Sequence, residues 1–327
     1  MLAFMAGRSA RRGGAIPDEY RPSHDDGSRV PMTTLPPPIF DRQLTRRRLA
    51  RAAAAGAEEF LLDHAITEFG ERLATIKREF CAILDAGTPS PRLAAWLCGS
   101  LHPPFLLRMA PLAEATGAPS FPRLVGDEEN LPLAPERFDL AVSALSMQNL
   151  NDLPGALVQL RRVLKPDGLF LGCLLGGQSL HELRTALAVA ETEMSGGISP
   201  RVAPFADVRD MGGLLQRAGF ALPVADSEPL TARYADLFGL AADLRAMGAT
   251  NALTARLRVS LTKGFFMRAA QVYAERFADP DGRVRATFEM IFLSGWAPHE
   301  SQQKPLAPGS AQMRLADALK IKPASGS

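Results

Sequence analysis

The chain has 327 residues, of which 46% are hydrophobic and 22% are charged, and this size and apolar content suit one large domain or two small ones. No apolar run approaches the roughly 18 residues of a membrane span, so we expect no transmembrane segment. Residues 1–51 hold ten arginines and five acids, which gives this segment a net charge of +5. Because the whole chain has a net charge of +2, the remaining residues carry 2 − 5 = −3. This mildly acidic body argues against a nucleic-acid groove.

The N-terminal segment, residues 1–31, mixes Arg, Gly, Pro, Ser and Asp without an apolar period, which is typical of an unstructured chain. Met32 begins a more protein-like run, and we interpret it as the natural start that follows an over-extended reading frame. We therefore predict a basic, disordered segment over 1–37, one domain with N-terminal helices over 38–300 and a largely extended or disordered tail over 301–327.

Hydrophobic periodicity predicts helices that alternate with short apolar strands. Strand 169–175 is unbroken in its apolar character, which indicates burial on both faces. The predicted helices cover 42–55, 57–76, 91–99, 111–117, 153–164, 179–195, 206–218, 235–247 and 253–277, and the predicted strands cover 81–86, 103–109, 123–126, 137–145, 169–175, 221–232 and 286–296.

The first predicted helix carries a run of five arginines, which form either a solvated helix face or a docking surface for an acidic partner. They are Arg42, Arg46, Arg47, Arg48 and Arg51.

The alternation of strands and helices predicts a parallel, doubly wound α/β sheet. Such sheets bind ligands beyond the carboxyl ends of their strands. The three cysteines, Cys81, Cys98 and Cys173, lie in apolar runs without metal-ligand spacing, so we expect core thiols in a reducing compartment and no metal centre.

The stretch "DEENLPLAPERFDLAVSALSMQNLNDLPGALVQLRRVLKPDGLFLG" resembles the middle of type-11 S-adenosylmethionine-dependent methyltransferases. The stretches "GGQSLHELRTALAVAETEMSGGISPRVAPF", "DMGGLLQRAGF", "DLRAMGATNAL" and "ATFEMIFLSGWAPHESQQKP" resemble the assembly factor 5 family of NADH dehydrogenase (complex I), described as methyltransferases or arginine hydroxylases, and its alphaproteobacterial relatives. The resemblance implies a Rossmann-like class I methyltransferase fold with a seven-stranded, mostly parallel sheet, helices on both faces and helical C-terminal insertions.

The same resemblance implies that the protein functions in complex I assembly and that its substrate is a protein, a complex I subunit. The implied reaction is methylation or arginine hydroxylation, and the implied cofactor is S-adenosylmethionine. The alternative is a non-catalytic assembly factor that has lost the cofactor. A bacterial chain is expected in the cytoplasm and a eukaryotic one in the mitochondrial matrix, where complex I allows peripheral membrane association.

Four residues match cofactor contacts of the family. Asp85 and Gly87 match the start of the acid–Gly–Cys–Gly–x–Gly turn, although Pro89 and Ser90 replace its later glycines, so a plain strand-to-helix turn is the alternative. Asp127 matches the acid that contacts adenine, and Glu128 follows it as a further candidate. The alternative is that Glu128 and Glu129 are only charged loop residues.

The ribose-binding acid of the family has no counterpart at the end of the second strand. Arg108 or Met109 lies near the expected position, and Glu114 follows too late in the chain. A missing acceptor leaves the ribose hydroxyls unpaired at about 1–3 kcal/mol each, so we expect weakened cofactor binding.

The catalytic residue is not defined by the sequence. Gln148 and Asn149 occupy positions where the assembly factors often have His and Trp, and Asn151 and Asp152 follow as substrate-positioning candidates. Asp152 is also a good N-cap for the next helix.

Two C-terminal histidines, His181 and His299, are candidate bases, and neither belongs to a recognisable set of iron ligands. We expect Gly176 to Arg184 and Trp296 to Gln302 to bound a substrate cleft. Glu182 offers its carboxylate there, and the glycines Gly176 and Gly177 permit another chain to approach. The alternative is that the glycines are only turn residues and that the helix face is solvated.

Overall fold

The computed structural model describes residues 37–113 and 121–302. The predictions for the disordered start, including Met32, for most of the helix at 111–117 and for the tail beyond 302 therefore lie outside the described residues. None of the described helices is long and apolar enough to cross a membrane.

Eight α-helices and seven β-strands make up the described residues, with a short 3-10 helix at Met147–Asn149. The helices are α1 Arg42–Ala55, α2 Phe60–Ala74, α3 Arg92–Leu101, α4 Leu153–Val163, α5 His181–Ser195, α6 Val208–Arg217, α7 Leu237–Ala246 and α8 Lys263–Phe277. The strands are β1 Ala82–Ala86, β2 Phe105–Ala110, β3 Arg123–Val125, β4 Phe138–Ala144, β5 Leu164–Leu175, β6 Ala221–Tyr234 and β7 Val284–Trp296.

The strands form one sheet in the order β3-β2-β1-β4-β5-β7-β6. The first five strands pair in parallel, and β7 lies antiparallel between β5 and β6. This arrangement confirms the predicted seven-stranded, mostly parallel α/β fold with an antiparallel edge.

Helices cover both faces of the sheet because successive strand residues point to opposite faces. In β5, Leu171 and Cys173 belong to the core formed with α2, α3, α5 and α8, whereas Phe170 and Leu174 belong to the core formed with α4 and α6. All four side chains are at most 1% exposed, which accounts for the unbroken apolar run of this strand.

The boundaries of two predicted helices differ from the structure. Leu253 forms an antiparallel bridge with Phe40, and α8 begins only after Thr262, whose hydroxyl caps the helix by accepting from Phe265 N at 3.2 Å. Residues 111–113, the described part of the other predicted helix, are not helical.

The segment before α1 is fixed to the carboxyl edge of the sheet by the side chain of Asn151. Its amide oxygen accepts from Phe40 N at 2.8 Å, and its amide nitrogen donates to Phe40 O at 3.2 Å. The backbone of Asp41 adds a bond to Ala252 O at 2.8 Å. These bonds hold α1 beside the ends of β1 and β4.

Candidate functional site

A cavity of about 460 Å³ lies at the carboxyl edge of the sheet, where a ligand site is expected in this class of fold. Pro89 follows β1, Leu145 and Gln148 follow β4, and Leu175 ends β5, and all four line the cavity. The rest of the wall is largely apolar and comes mainly from α1, α2, α5, α7 and the loops at 201–205 and 248–252. The wall therefore suits a ligand with a long apolar part and few polar groups.

Arg201 lines the cavity with its charge already compensated by Glu191 of α5. Its Nε and Nη2 atoms donate to the Glu191 carboxylate at 2.9 and 2.6 Å, and the Ser199 hydroxyl adds a bond at 2.7 Å. Burial alone would raise the pKa of Glu191, but these hydrogen bonds from Arg201 and Ser199 outweigh burial and lower that pKa.

Asp85, the predicted acid of the cofactor turn, is fully buried and paired with Arg108. The two residues face each other in the parallel register of β1 and β2, and Arg108 Nη1 lies 2.6 Å from Asp85 Oδ2. Arg108 Nη2 donates to Thr88 O at 2.8 Å, and the Thr88 hydroxyl donates to Asp85 Oδ1 at 2.5 Å. Arg108, which lies near the position expected for the ribose-binding acid at the end of β2, thus provides the cation that pairs with Asp85 of β1.

Gly87 is required by both its backbone and its surroundings. Its φ of +78° lies in the left-handed region, and a Cβ built there would come within 2.0 Å of Glu128 Oε1. Two of the predicted cofactor contacts, Gly87 and Glu128, therefore lie against each other in the folded chain.

Asp127, the predicted adenine contact, is held by two arginines of α1. Arg42 Nη2 lies 2.5 Å from Asp127 Oδ1, and Arg46 Nη2 lies 2.6 Å from Asp127 Oδ2. Arg42 also reaches Glu128 Oε2 at 3.1 Å. Burial disfavours the charged form of Arg42, but the carboxylates of Glu128, Asp127 and Glu129 outweigh that effect and raise its pKa.

The arginine run of α1 has a partner within the chain. Arg42 and Arg46 contact the acidic loop at 127–129, Arg48 Nη1 donates to Thr250 O at 2.5 Å, and Arg47 and Arg51 are exposed. One side of the helix is therefore solvated, and the other docks on an acidic loop of the same chain instead of a separate partner.

Asn151 and Asp152 have structural contacts. Asn151 binds the Phe40 backbone, and Glu129 Oε1 accepts from the backbone N of Asn151 at 2.5 Å and of Asp152 at 3.3 Å. Asp152 Oδ1 caps α4 by accepting from Gly155 N at 2.8 Å. The N-cap alternative therefore describes what Asp152 does in this fold.

Gln148 lines the cavity and has one buried polar atom without a partner among the described residues. Its Nε2 donates to Leu145 O at 2.8 Å, which fixes the orientation of the side chain. Its Oε1 is buried without a hydrogen-bond partner in the described structure, and the residue lines the cavity. A buried acceptor without a partner costs about 1–3 kcal/mol, so a ligand that donates a hydrogen bond would recover this loss.

Glu182 is buried and does not line the cavity. Its Oε1 accepts from the Thr287 hydroxyl at 2.5 Å and its Oε2 from Thr287 N at 3.2 Å, so the carboxylate holds α5 against β7. The neighbouring His181 is partly exposed, and its ring packs edge-on against Phe277 with a centroid separation of 6.2 Å.

The predicted cleft between Gly176–Arg184 and Trp296–Gln302 is wrong. Leu175, which precedes Gly176, pairs with Met290, whereas Trp296 pairs with Leu169 six residues earlier in β5. Because a strand rises about 3.3 Å per residue, the two segments lie roughly 20 Å apart at opposite ends of the strand.

The segment that approaches the glycines after β5 belongs to this chain, since Gly177 N donates to Ala206 O at 3.0 Å.

The expectation of three core thiols also needs correction, because only Cys173 is buried, while Cys98 is half-buried and Cys81 is exposed. Cys81 lies just before β1, and its side chain is exposed although its neighbour Phe80 is buried in the core.

Sequence reasoning missed the partners of the predicted acids. Arg108 and Thr88, which bind the Asp85 carboxylate, match no motif of the sequence. Arg42 and Arg46 lie one helical turn apart and match the acid run at 127–129 in charge, which is the one signal that pointed to this contact.

The strand order and the site at the carboxyl edge define a protein of the class I methyltransferase fold. The profile of the methyltransferase domain family matches residues 101–172. The structure of the YcgJ protein of Bacillus subtilis aligns with a TM-score of 0.50 at 14% identity, covering 72% of this chain and 99% of that one, which supports the fold alone.

The chain belongs to the family of the arginine-hydroxylase NDUFAF5 proteins. The mitochondrial NDUFAF5 of Homo sapiens is 38% identical over 306 residues, covering 90% of this chain and 86% of the relative. The protein of Danio rerio is 35% identical over 290 residues, with 86% and 90% covered. The malonyl-(acyl-carrier protein) O-methyltransferase of Methylovorus sp. is 34% identical over 275 residues, with 80% and 90% covered.

S-adenosylmethionine is the cofactor that the methyltransferase domain family implies. The present arrangement does not fit a cofactor held at both Asp85 and Asp127, because Arg108 binds the first carboxylate and Arg42 and Arg46 bind the second. Glu128 and the cavity beside Pro89 remain next to the expected position.

Proposed function

We propose that this chain is an enzyme that hydroxylates an arginine side chain of a protein, and that the protein is a subunit of respiratory complex I. The step takes O₂ as oxidant and two electrons and two protons from an external reductant, so that one oxygen atom enters the arginine and the other leaves as water. Support comes from relatives that bear the name arginine-hydroxylase and are covered over 86–90% of their length. An enzyme name favours catalysis over the alternative of a non-catalytic assembly factor.

The observation that carries this proposal is that Gln148, whose Oε1 is buried without a partner in the described part of the chain, lines the cavity. A guanidinium carries five N–H donors in one plane and no acceptor, so it can supply the hydrogen bond that this oxygen lacks. The largely apolar wall suits the methylene stem of an arginine, and the carboxylates of Glu58 and Glu59 also line the cavity. Gln148 is therefore our candidate for a residue that binds the substrate side chain.

The experiment compares the arginine-containing peptides of complex I subunits by mass spectrometry in a strain that lacks the gene and in the same strain complemented. We expect one arginine to carry an additional oxygen only when the gene is present. Gln148→Leu removes the acceptor at similar size and should reduce that modification at least tenfold. Gln271→Leu, at an exposed position of α8, is the matched control and should leave it unchanged.

Two outcomes would contradict the proposal. If no gene-dependent arginine gains an oxygen, hydroxylation is wrong, and a gene-dependent methyl group would assign methyl transfer instead. If the Gln148→Leu variant modifies the arginine as fully as the control variant does, substrate binding does not depend on this amide.

We also propose that S-adenosylmethionine binds beside Asp127 and Glu128, and that Arg42 and Arg46 release Asp127 when it does. Asp127→Ala should then weaken binding about tenfold, which is the contribution of one charge-assisted hydrogen bond. Isothermal titration calorimetry measures this, with Arg47→Ala, an exposed change on the same helix, as control. Equal affinities in both variants would place the contact elsewhere, and no heat with the unmodified protein would reject the cofactor.

A further inference from the structure

Three side chains with metal-binding atoms meet outside the cavity, between α2 and β6. They are His64, Glu68 and Glu228, and one nitrogen or oxygen atom from each lies within 4.8 Å of the other two. Within residues 37–113 and 121–302, no other group of three or more His, Cys, Asp or Glu side chains satisfies that spacing. Ligands bound to one transition-metal ion at about 2.0–2.2 Å are necessarily separated by less than about 4.4 Å, so a small inward movement would close the set.

The fold brings these ligands together from two elements. His64 and Glu68 are four residues apart on α2 and therefore share one face of the helix. Glu228 lies on the edge strand β6, and His64 Nε2 is already in contact with Glu228 Oε1. The ring of His64 packs edge-on against Phe292, with a centroid separation of 6.5 Å, which limits its rotation.

The charges around the group favour a divalent cation. The nearest arginine, Arg72, makes two bonds of 2.8 Å to Asp226, while its contact with Glu68 is longer, at 3.7 Å. Arg72 is also felt by Glu68 and Glu228, but the three carboxylates of Glu68, Asp226 and Glu228 against this one arginine leave −3 + 1 = −2 beside the imidazole of His64. A neutral imidazole leaves two negative charges in a partly buried place, and a dication between them would remove their repulsion.

We propose that His64, Glu68 and Glu228 bind one divalent transition-metal ion. One imidazole and two carboxylates suit Mn²⁺, Fe²⁺, Co²⁺ or Zn²⁺ better than Mg²⁺ or Ca²⁺, which prefer oxygen ligands alone. The three side chains are 20–39% exposed, so an ion can enter from solvent and one or more water molecules can complete its coordination. This site is separate from Gln148 and does not depend on the function proposed above.

The test is a titration of the metal-free full chain with Co²⁺, followed by its visible absorption and by calorimetry. We expect saturable binding of one ion, weakened at least tenfold by His64→Ala and by Glu228→Gln. Glu228→Gln keeps the size and hydrogen-bonding capacity of the side chain, so it tests the ligand without opening a cavity. The controls are Glu71→Gln, an exposed change on the same helix, and His299→Ala, a histidine outside the group.

The same proteins are then melted with and without Mn²⁺ or Zn²⁺. An ion that binds only the folded chain raises its melting temperature, and this rise should vanish in His64→Ala and Glu228→Gln but persist in both controls. The proposal is overturned if the unmodified chain binds no stoichiometric ion, or if the two ligand variants bind as tightly as the controls. Neither result bears on arginine hydroxylation at the cavity, because the readout is metal binding alone.

Discussion

Replacing Arg108 with methionine should destabilise the fold by about 3–5 kcal/mol, because it removes the guanidinium from a buried carboxylate. Arg108 is 1% exposed and Asp85 is 0% exposed, so water cannot take over the lost bonds of 2.6 Å to Asp85 and 2.8 Å to Thr88 O. Methionine fills much of the same volume, so most of the loss reports the missing charge and hydrogen bonds. At about 2 °C for each kcal/mol, the melting temperature should fall by roughly 6–10 °C.

Urea unfolding followed by circular dichroism measures this loss. The double variant Asp85→Asn with Arg108→Met keeps an acceptor for the Thr88 hydroxyl but removes the buried charge, so it should recover at least half of the lost stability. Arg137→Met, at an exposed position, is the control and should change stability by less than about 0.5 kcal/mol. A loss below about 1 kcal/mol in Arg108→Met, or no recovery in the double variant, would refute the reasoning.

Three further predictions concern groups outside the Asp85–Arg108 pair. Glu182→Ala should lower the free energy of unfolding by about 1–3 kcal/mol, because Thr287 loses the acceptor for two bonds; an unchanged urea midpoint would restore Glu182 to the candidates for substrate binding. Burial raises the pKa of the Cys173 thiol, so iodoacetamide at pH 8 should alkylate the exposed Cys81 and leave Cys173 unmodified until the chain unfolds, as peptide mass mapping would reveal. The pKa of Glu191 is lowered in the folded state, so its ion pair stabilises the fold fully above the ordinary carboxyl pKa, and this contribution is lost as the pH falls through the lowered pKa. The difference in unfolding free energy between the unmodified chain and Glu191→Gln should therefore shrink from pH 7 to pH 3. A constant difference would contradict this.

The sequence by itself determined the succession of elements and the class of fold. The unbroken apolar run of β5 and the spacing of Leu61, Leu62, Ala65 and Ile66 in α2 are local patterns. A local pattern is enough to fix whether one face of an element or both faces are buried. The N-cap at Asp152 is local for the same reason, since the capped N–H lies three residues away.

Only the tertiary structure decided what the charged residues of the site contact. Asp85 and Arg108 are separated by 23 residues, Arg42 and Asp127 by 85, and His64 and Glu228 by 164. Their pairing depends on which strands are neighbours and on where α1 and α2 pack, and neither hydrophobic period nor charge at one position carries that information. Burial then fixes the outcome, because a carboxylate removed from water requires a cation or donors wherever the fold supplies them.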